Sequence, residues 1–184
     1  MQKKNKVKCF RGSETNVLQR VWQAAKKYNA GGIVQISGDS IFLDPEITDQ
    51  MISIYKKNNV EAVVDYWNTF PSGINPTILS FKALNKSYKK CKSSDSVGYY
   101  IFKHPKIFNI YYYFPKPSEY FPKLKLCLDT FEDYLILKKI FRKDKKNSYS
   151  CKKIISTVKK NLFWLKINSS VKRKSTNSIK EFLK

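Results

Sequence analysis

The chain has 184 residues, the length of one ordinary domain, and can remove roughly 70% of its unfolded surface from water. An apolar share of 42% excludes wholesale disorder. No apolar run approaches the roughly 18 residues of a membrane span. Four widely spaced cysteines, Cys9, Cys91, Cys127 and Cys151, exclude a zinc finger and give no disulfide framework. The first ten residues carry charge but no apolar leader core, so the expected compartment is the cytoplasm, with free thiols.

The net charge is +22, and it is uneven. Residues 1–133 hold 20 basic and 12 acidic side chains, whereas residues 134–184 hold 16 and 2. Such a basic end suits nucleic acid or an acidic surface. Only Arg11, Arg20, Arg142 and Arg173 are arginines, however; the other 32 basic residues are lysines. Base and phosphate readers favour the arginine fork, so a solvated cationic face fits better, and nucleic acid is not the expected partner.

In chain order, residues 6–11 predict a short strand ending at Gly12. Ser13 predicts an N-cap for an amphipathic helix running to about Tyr28, where Gly31-Gly32 breaks it. Ile33–Ile36 predicts a strand stopped by Ser37-Gly38-Asp39. Asp44-Pro45 opens a second helix with proline at its first position, and residues 60–66 form the next strand. This β-α-β-α-β order predicts a parallel sheet with helices on its faces. Beyond it, 77–81 predicts a strand, 81–91 a helix, 94–104 a helix ending at His104-Pro105, and 108–114 a strand. Residues 123–128 alternate like a strand, Thr130 caps a helix to about Phe141, and 150–160 is helical. From about Ser169 the sequence reads as a frayed basic end. The expected division is an α/β domain over 1–143 and a basic helical extension over 144–184. The strands at 6–11, 32–37, 60–66 and 124–128 are expected in one mostly parallel sheet.

Two aspartates follow strands directly. Asp39 comes after IVQI, and Asp129 after KLKLCL. The carboxyl edge of an open α/β sheet is where ligands bind. Hard carboxylate oxygens there suit magnesium, which shares its shell with substrate phosphates. Plain turn and cap roles compete with this, and Glu132 and Asp133 fit the favoured acidic first turn of a helix. Arg11-Gly12 offers a guanidinium beside a tight turn, suited to clamping a carboxylate or phosphate. His104 fits a helix C-terminus, where the dipole favours a cation. The aromatic runs at 99–100 and 111–114 fit a half-buried strand better than base stacking.

The segments FRGSETNVLQR, IVQISGDSIFLDPEI, NTFPSG, YYIFKHPKIF, LCLDTFEDYLILKKIF and LKINSSVKRK occur in order. Over roughly Lys6 to Ser175 the chain resembles the cytidylyltransferase family of spore-coat polysaccharide biosynthesis proteins, relatives of the acylneuraminate and deoxy-octulosonate cytidylyltransferases. The resemblance implies a Rossmann-like three-layer α/β/α nucleotidyltransferase fold, like that of nucleotide-diphospho-sugar transferases. It implies transfer of CMP from CTP to a sugar or sugar acid, with release of pyrophosphate. By motif position it implies Asp39 and Asp129 as catalytic magnesium ligands. Arg11, Gly12 and Gly38 become substrate-binding positions, and Mg2+ the cofactor.

The sequence also departs from the family pattern. Gln35 stands where the family usually has Arg, Asn75-Pro76-Thr77 where it has an Asp-x-Glu pair, and Ser94-Asp95-Ser96 where it has Arg-Glu-His. The family's N-terminal strand and Gly/Arg/Lys-rich loop has no counterpart, so the resemblance implies an N-terminally truncated domain. Four expectations follow: an open sheet edge, self-association through it, pairing with a separate N-terminal fragment or a second copy, and weak CTP turnover by this chain alone. The alternative readings are a non-catalytic relative that binds or scaffolds, and a basic nucleic-acid-binding module.

Overall fold

The computed structural model describes residues 7–66, 69–143 and 149–171. Its elements run α1 (Val17–Lys27), β1 (Gly32–Gln35), α2 (Pro45–Lys57), β2 (Ala62–Asp65), β3 (Thr77–Ser80), α3 (Phe81–Lys90), α4 (Tyr99–Lys103), β4 (Ile110–Tyr113), α5 (Phe131–Lys143), α6 (Cys151–Lys159) and α7 (Leu165–Asn168), with 3-10 turns at Pro105–Ile107 and Leu162–Trp164.

Local chemistry sets the boundaries. The N-cap of α1 is Asn16, whose side chain accepts from Gln19 N–H at 3.0 Å. The expected cap, Ser13, stands earlier and accepts from Asn16 N–H at 3.0 Å. Helices α1 and α2 both stop before an asparagine in the left-handed region, Asn29 at φ 50 and Asn59 at φ 45. Asparagine tolerates that conformation, so α1 ends before Gly31-Gly32 is reached. Helix α4 begins at Tyr99 rather than Ser94. Residues 94–96 instead form a serine turn, with Ser96 N–H donating to Ser94 Oγ at 3.1 Å.

The sheet has the order β1-β3-β2-β4. Strand β3 is antiparallel to β1 and β2, while β2 and β4 are parallel. Thus β1, β2 and β4 point the same way and β3 lies reversed between two of them. The reason is connection length. Helix α2 carries the chain over from β1 to β2, whereas no described helix lies between β2 and β3, and the chain turns back.

Two expected strands lie outside this sheet. Described residues 7–11 form no strand; they run beside α1, where the Lys27 ammonium lies over the Phe10 ring and Tyr28 Oη donates to Cys9 O. Residue 6 and the basic end beyond Val171 fall outside the described residues. Residues 124–128 are extended but make only isolated bridges, Ser72 with Lys125 and Ser40 with Cys127.

Side-chain alternation on the buried strands builds three layers. Val63 and Ile78 face one cluster with Ile47 and Met51 of α2, Ile136 and Ile140 of α5, and Ile154 and Val158 of α6. Ala62, Val64 and Leu79 face the other, with Leu18 and Ala25 of α1, Ala83 and Leu84 of α3, and Ile101 of α4. The architecture is α/β/α. Residues 149–171 add Cys151, Ile154, Ile155, Val158 and Trp164 to the first cluster. Strand β1 is an edge strand of this sheet, and Val34 and the adjoining Ile36 are exposed.

Candidate active site

After β1 the chain makes a tight turn, closed by Ser40 N–H donating to Ser37 O at 3.1 Å. It then meets the extended segment 124–128. Ser40 bridges Cys127 antiparallel, and Leu128 N–H donates to Asp39 O at 3.0 Å. The two aspartate-bearing segments are therefore in direct backbone contact beyond the carboxyl end of β1. Asp39 is partly exposed and Asp129 exposed. Gly38 is exposed, with open space where a side chain would project.

Asp129 is placed by the start of α5. Asp133 is fully buried. Its Oδ2 accepts from Asp129 N–H at 3.2 Å, Thr130 N–H at 3.1 Å and Thr130 Oγ1 at 3.2 Å. Thr130 Oγ1 in turn accepts from Asp133 N–H at 3.3 Å, a reciprocal capping box. The other carboxylate oxygen accepts from Asn168 Nδ2 at 2.7 Å, and that amide also reaches Lys125 O at 3.3 Å. Asp133 is thus structural, the role its place in a first turn predicts.

Asp44 anchors the loop that carries Asp39. It is buried, and its Oδ1 accepts from Glu46 and Ile47 N–H at 2.9 and 3.2 Å, capping α2. Its Oδ2 accepts from Cys151 N–H at 2.6 Å, at the start of α6. One carboxylate therefore serves two helix N-termini. Burial pushes the Cys151 thiol up to about 12, with the Glu119 and Asp44 charges adding to the shift. Burial likewise pushes the Tyr113 hydroxyl up to about 12, helped by Glu119 and Asp44; this hydroxyl donates to Gln50 Oε1 at 2.5 Å.

A cavity of about 320 Å3 opens at the carboxyl end of β2, lined by Asp65, Ser72, Asn75, Thr77, Phe102 and Lys125 among others. Burial raises the Asp65 carboxyl above the usual range, and a hydrogen bond from the Asn75 side chain partly offsets this. Gly73 in its wall has φ +82, and a Cβ there would lie 2.9 Å from Cys127 Sγ. Glycine fits because the left-handed region and the close approach both exclude a side chain. Sequence reasoning passed over Asp65, although it obeys the same grammar as Asp39, an aspartate at the end of a strand.

Arg11 and Gly12 lie on the approach to α1, where Gly12 packs on Phe10 and Arg20. They take no part in the contact between the aspartate segments. The side chain tying that turn down is Arg20, whose Nη1 donates to Ser13 O at 2.7 Å. His104 caps the end of α4, with Nδ1 2.8 Å from Tyr100 O and its ring stacked on Tyr100, as a helix-end histidine should be.

Among the described residues there is no group of three or more His, Cys, Asp or Glu side chains able to hold a metal. Magnesium takes one or two protein carboxylates and completes its octahedron with water and substrate phosphate, so Asp39 and Asp129 are the side chains here that could hold it. No described helix is long and apolar enough to cross a membrane.

Residues 2–171 match the cytidylyltransferase family. The chain is 31% identical over 180 residues to the protein MJ1063 of Methanocaldococcus jannaschii, covering 95% of this chain and 72% of that one. It is 27% identical over 145 residues to the spore coat polysaccharide biosynthesis protein SpsF of Bacillus subtilis, covering 74% of this chain and 58% of SpsF. Its fold superposes on a solved cytidylyltransferase from Leptospira borgpetersenii with a TM-score of 0.82 and 28% identity, over 94% of this chain and 74% of that one.

Proposed function

The chain belongs to the cytidylyltransferase family, and from that premise we propose that it transfers CMP from CTP to a sugar or sugar acid, releasing pyrophosphate, in surface-polysaccharide biosynthesis. The observation that carries this reading is the backbone contact between the Asp39 and Asp129 segments beyond the carboxyl end of β1. It brings the two aspartate-bearing segments side by side beyond a strand end, where an open α/β sheet binds its ligand. Asp39 and Asp129 would hold Mg2+, which when bound neutralises charge on the triphosphate and on the departing pyrophosphate. Asp133 fixes the backbone of Asp129 and Thr130, so the Asp129 carboxylate is presented from a rigid helix start. The bare Gly38 leaves room for a phosphate to approach the turn. Arg11 and Gly12 would clamp an anionic substrate group at the approach to α1. The cytoplasm is the compartment this reading assigns. Strand β1 ends the sheet among the described residues, and its edge is where a strand of a second copy would pair.

Calorimetric titration with CTP and magnesium tests this. Wild type should bind, and Asp39→Asn and Asp129→Asn should each weaken binding at least tenfold without lowering the thermal midpoint. Equal affinity in all three proteins would overturn the assignment. Pyrophosphate release across a panel of sugars and sugar acids tests the transfer step itself.

A further inference from the structure

We propose that the cavity at the carboxyl end of β2 is the subsite for the acceptor, and that it takes an uncharged, hydroxyl-rich sugar face with Asp65 as the specificity-determining hydrogen-bond acceptor. This rests on the cytidylyl-transfer reading.

The position follows from topology. Strands β1 and β2 point the same way, so Asp65 emerges at the same sheet edge as the turn bearing Asp39. The extended segment 125–129 joins the two places. Lys125 lines the cavity, and Gly73 in its wall is packed against Cys127. Asp129 is two residues further on, at most about 7 Å of extended chain. A ligand in the cavity therefore sits beside the aspartate pair.

The size and chemistry select the occupant. A volume of about 320 Å3 is at the low end of small-molecule sites, roughly 300–1,000 Å3, and suits one sugar ring rather than a nucleoside triphosphate. The walls combine hydroxyl and amide groups of Ser72, Asn75 and Thr77 with the apolar ring of Phe102, the mixture that a sugar's polar rim and apolar face require. The Asn75 hydrogen bond favours the ionised form of Asp65, and an ionised carboxylate can only accept hydrogen bonds. Sugar hydroxyls supply further donors, and bonds to a charged acceptor are the strong ones. A second carboxylate placed against Asp65 would be repelled, so an acidic acceptor must turn its acid group elsewhere, with Lys125 the cation available in the walls.

The test is saturation-transfer NMR on the full chain with neutral hexoses, N-acetylhexosamines and hexuronates, alongside the CTP titration. At least one neutral sugar should receive saturation, more strongly than its own hexuronate. Asp65→Asn should weaken that signal at least tenfold while CTP affinity stays within twofold. Thr77→Val, a substitution a strand accepts readily, should weaken it several-fold and keeps the test open if Asp65→Asn fails to fold. The inference is overturned if CTP binds but no neutral sugar does, if hexuronates alone bind, or if both variants bind sugar as wild type does. If sugar binds in this way and CTP does not, the cavity stands as a sugar site and the cytidylyl-transfer reading fails instead.

Discussion

Replacing Asp44 by alanine should loosen two parts of the molecule at once. The carboxylate caps α2 through Glu46 and Ile47 N–H and holds the first amide of α6 through Cys151 N–H at 2.6 Å. Loss of an aspartate cap costs about 1 kcal/mol, within a range of roughly 0.5–2. Loss of the buried Cys151 bond to a charged acceptor costs about 1.5–3 kcal/mol, because the buried amide is left unsatisfied. The total is roughly 2–5 kcal/mol. For a domain of this length each kcal/mol moves the thermal midpoint by about 2–4 °C, so a central loss of about 3 kcal/mol lowers it by about 6–12 °C. Asp44→Asn should also destabilise, because its single oxygen serves only one of the two helix starts and its amide hydrogens oppose the N–H donors of the other. Circular dichroism melts of the three proteins, with urea titrations for the free energies, measure both steps. A midpoint for Asp44→Ala corresponding to less than about 1 kcal/mol would show that water replaces the carboxylate and that the shared cap is not what joins α6 to the sheet domain.

Gly73→Ala should destabilise by about 1–3 kcal/mol, since it places a Cβ at φ +82 and 2.9 Å from Cys127 Sγ; urea titration reads it, and an unchanged midpoint would contradict the close packing. Under native conditions at pH 8, iodoacetamide should modify exposed Cys9 readily and leave Cys151 untouched until denaturant is added, because its thiol is pushed up to about 12; peptide mass mapping decides this. Stability should also fall in alkali. The contribution of Cys151 is full below its ordinary value of 9.0 and that of Tyr113 below 10.0, and both are lost as the pH rises through about 12. Urea midpoints measured from pH 8 upward should decline, whereas Cys151→Ala should decline less steeply.

The sequence by itself determined what local chemistry determines. Asp44-Pro45 announces a helix start because a side-chain acceptor must meet orphan amides, and Asp44 caps α2 as that rule requires. The alternation of Ala62, Val63 and Val64 fixes opposite faces for neighbouring residues, which is enough to require helices on both sides of the sheet. The strand-then-aspartate grammar places Asp39 past β1 at the sheet's edge, but Asp129 follows a segment outside the sheet, and it is the bridge between Ser40 and Cys127 that brings its segment to the Asp39 turn. Strand partners are different, since pairing is a long-range choice among segments of similar composition. Nothing within residues 77–80 states that they lie reversed between β1 and β2, or that residues 124–128 bridge two loops instead of joining the sheet. The same holds for Asp65: its strand-end position was legible, but the cavity around it exists only because the loop at Gly73 folds against Cys127, a contact between residues far apart in the chain. Asp44 teaches this most directly. Its role at α2 is written in the dipeptide Asp44-Pro45, while its bond to Cys151 was decided by tertiary packing, which brought a second helix start within reach of the one remaining carboxylate oxygen.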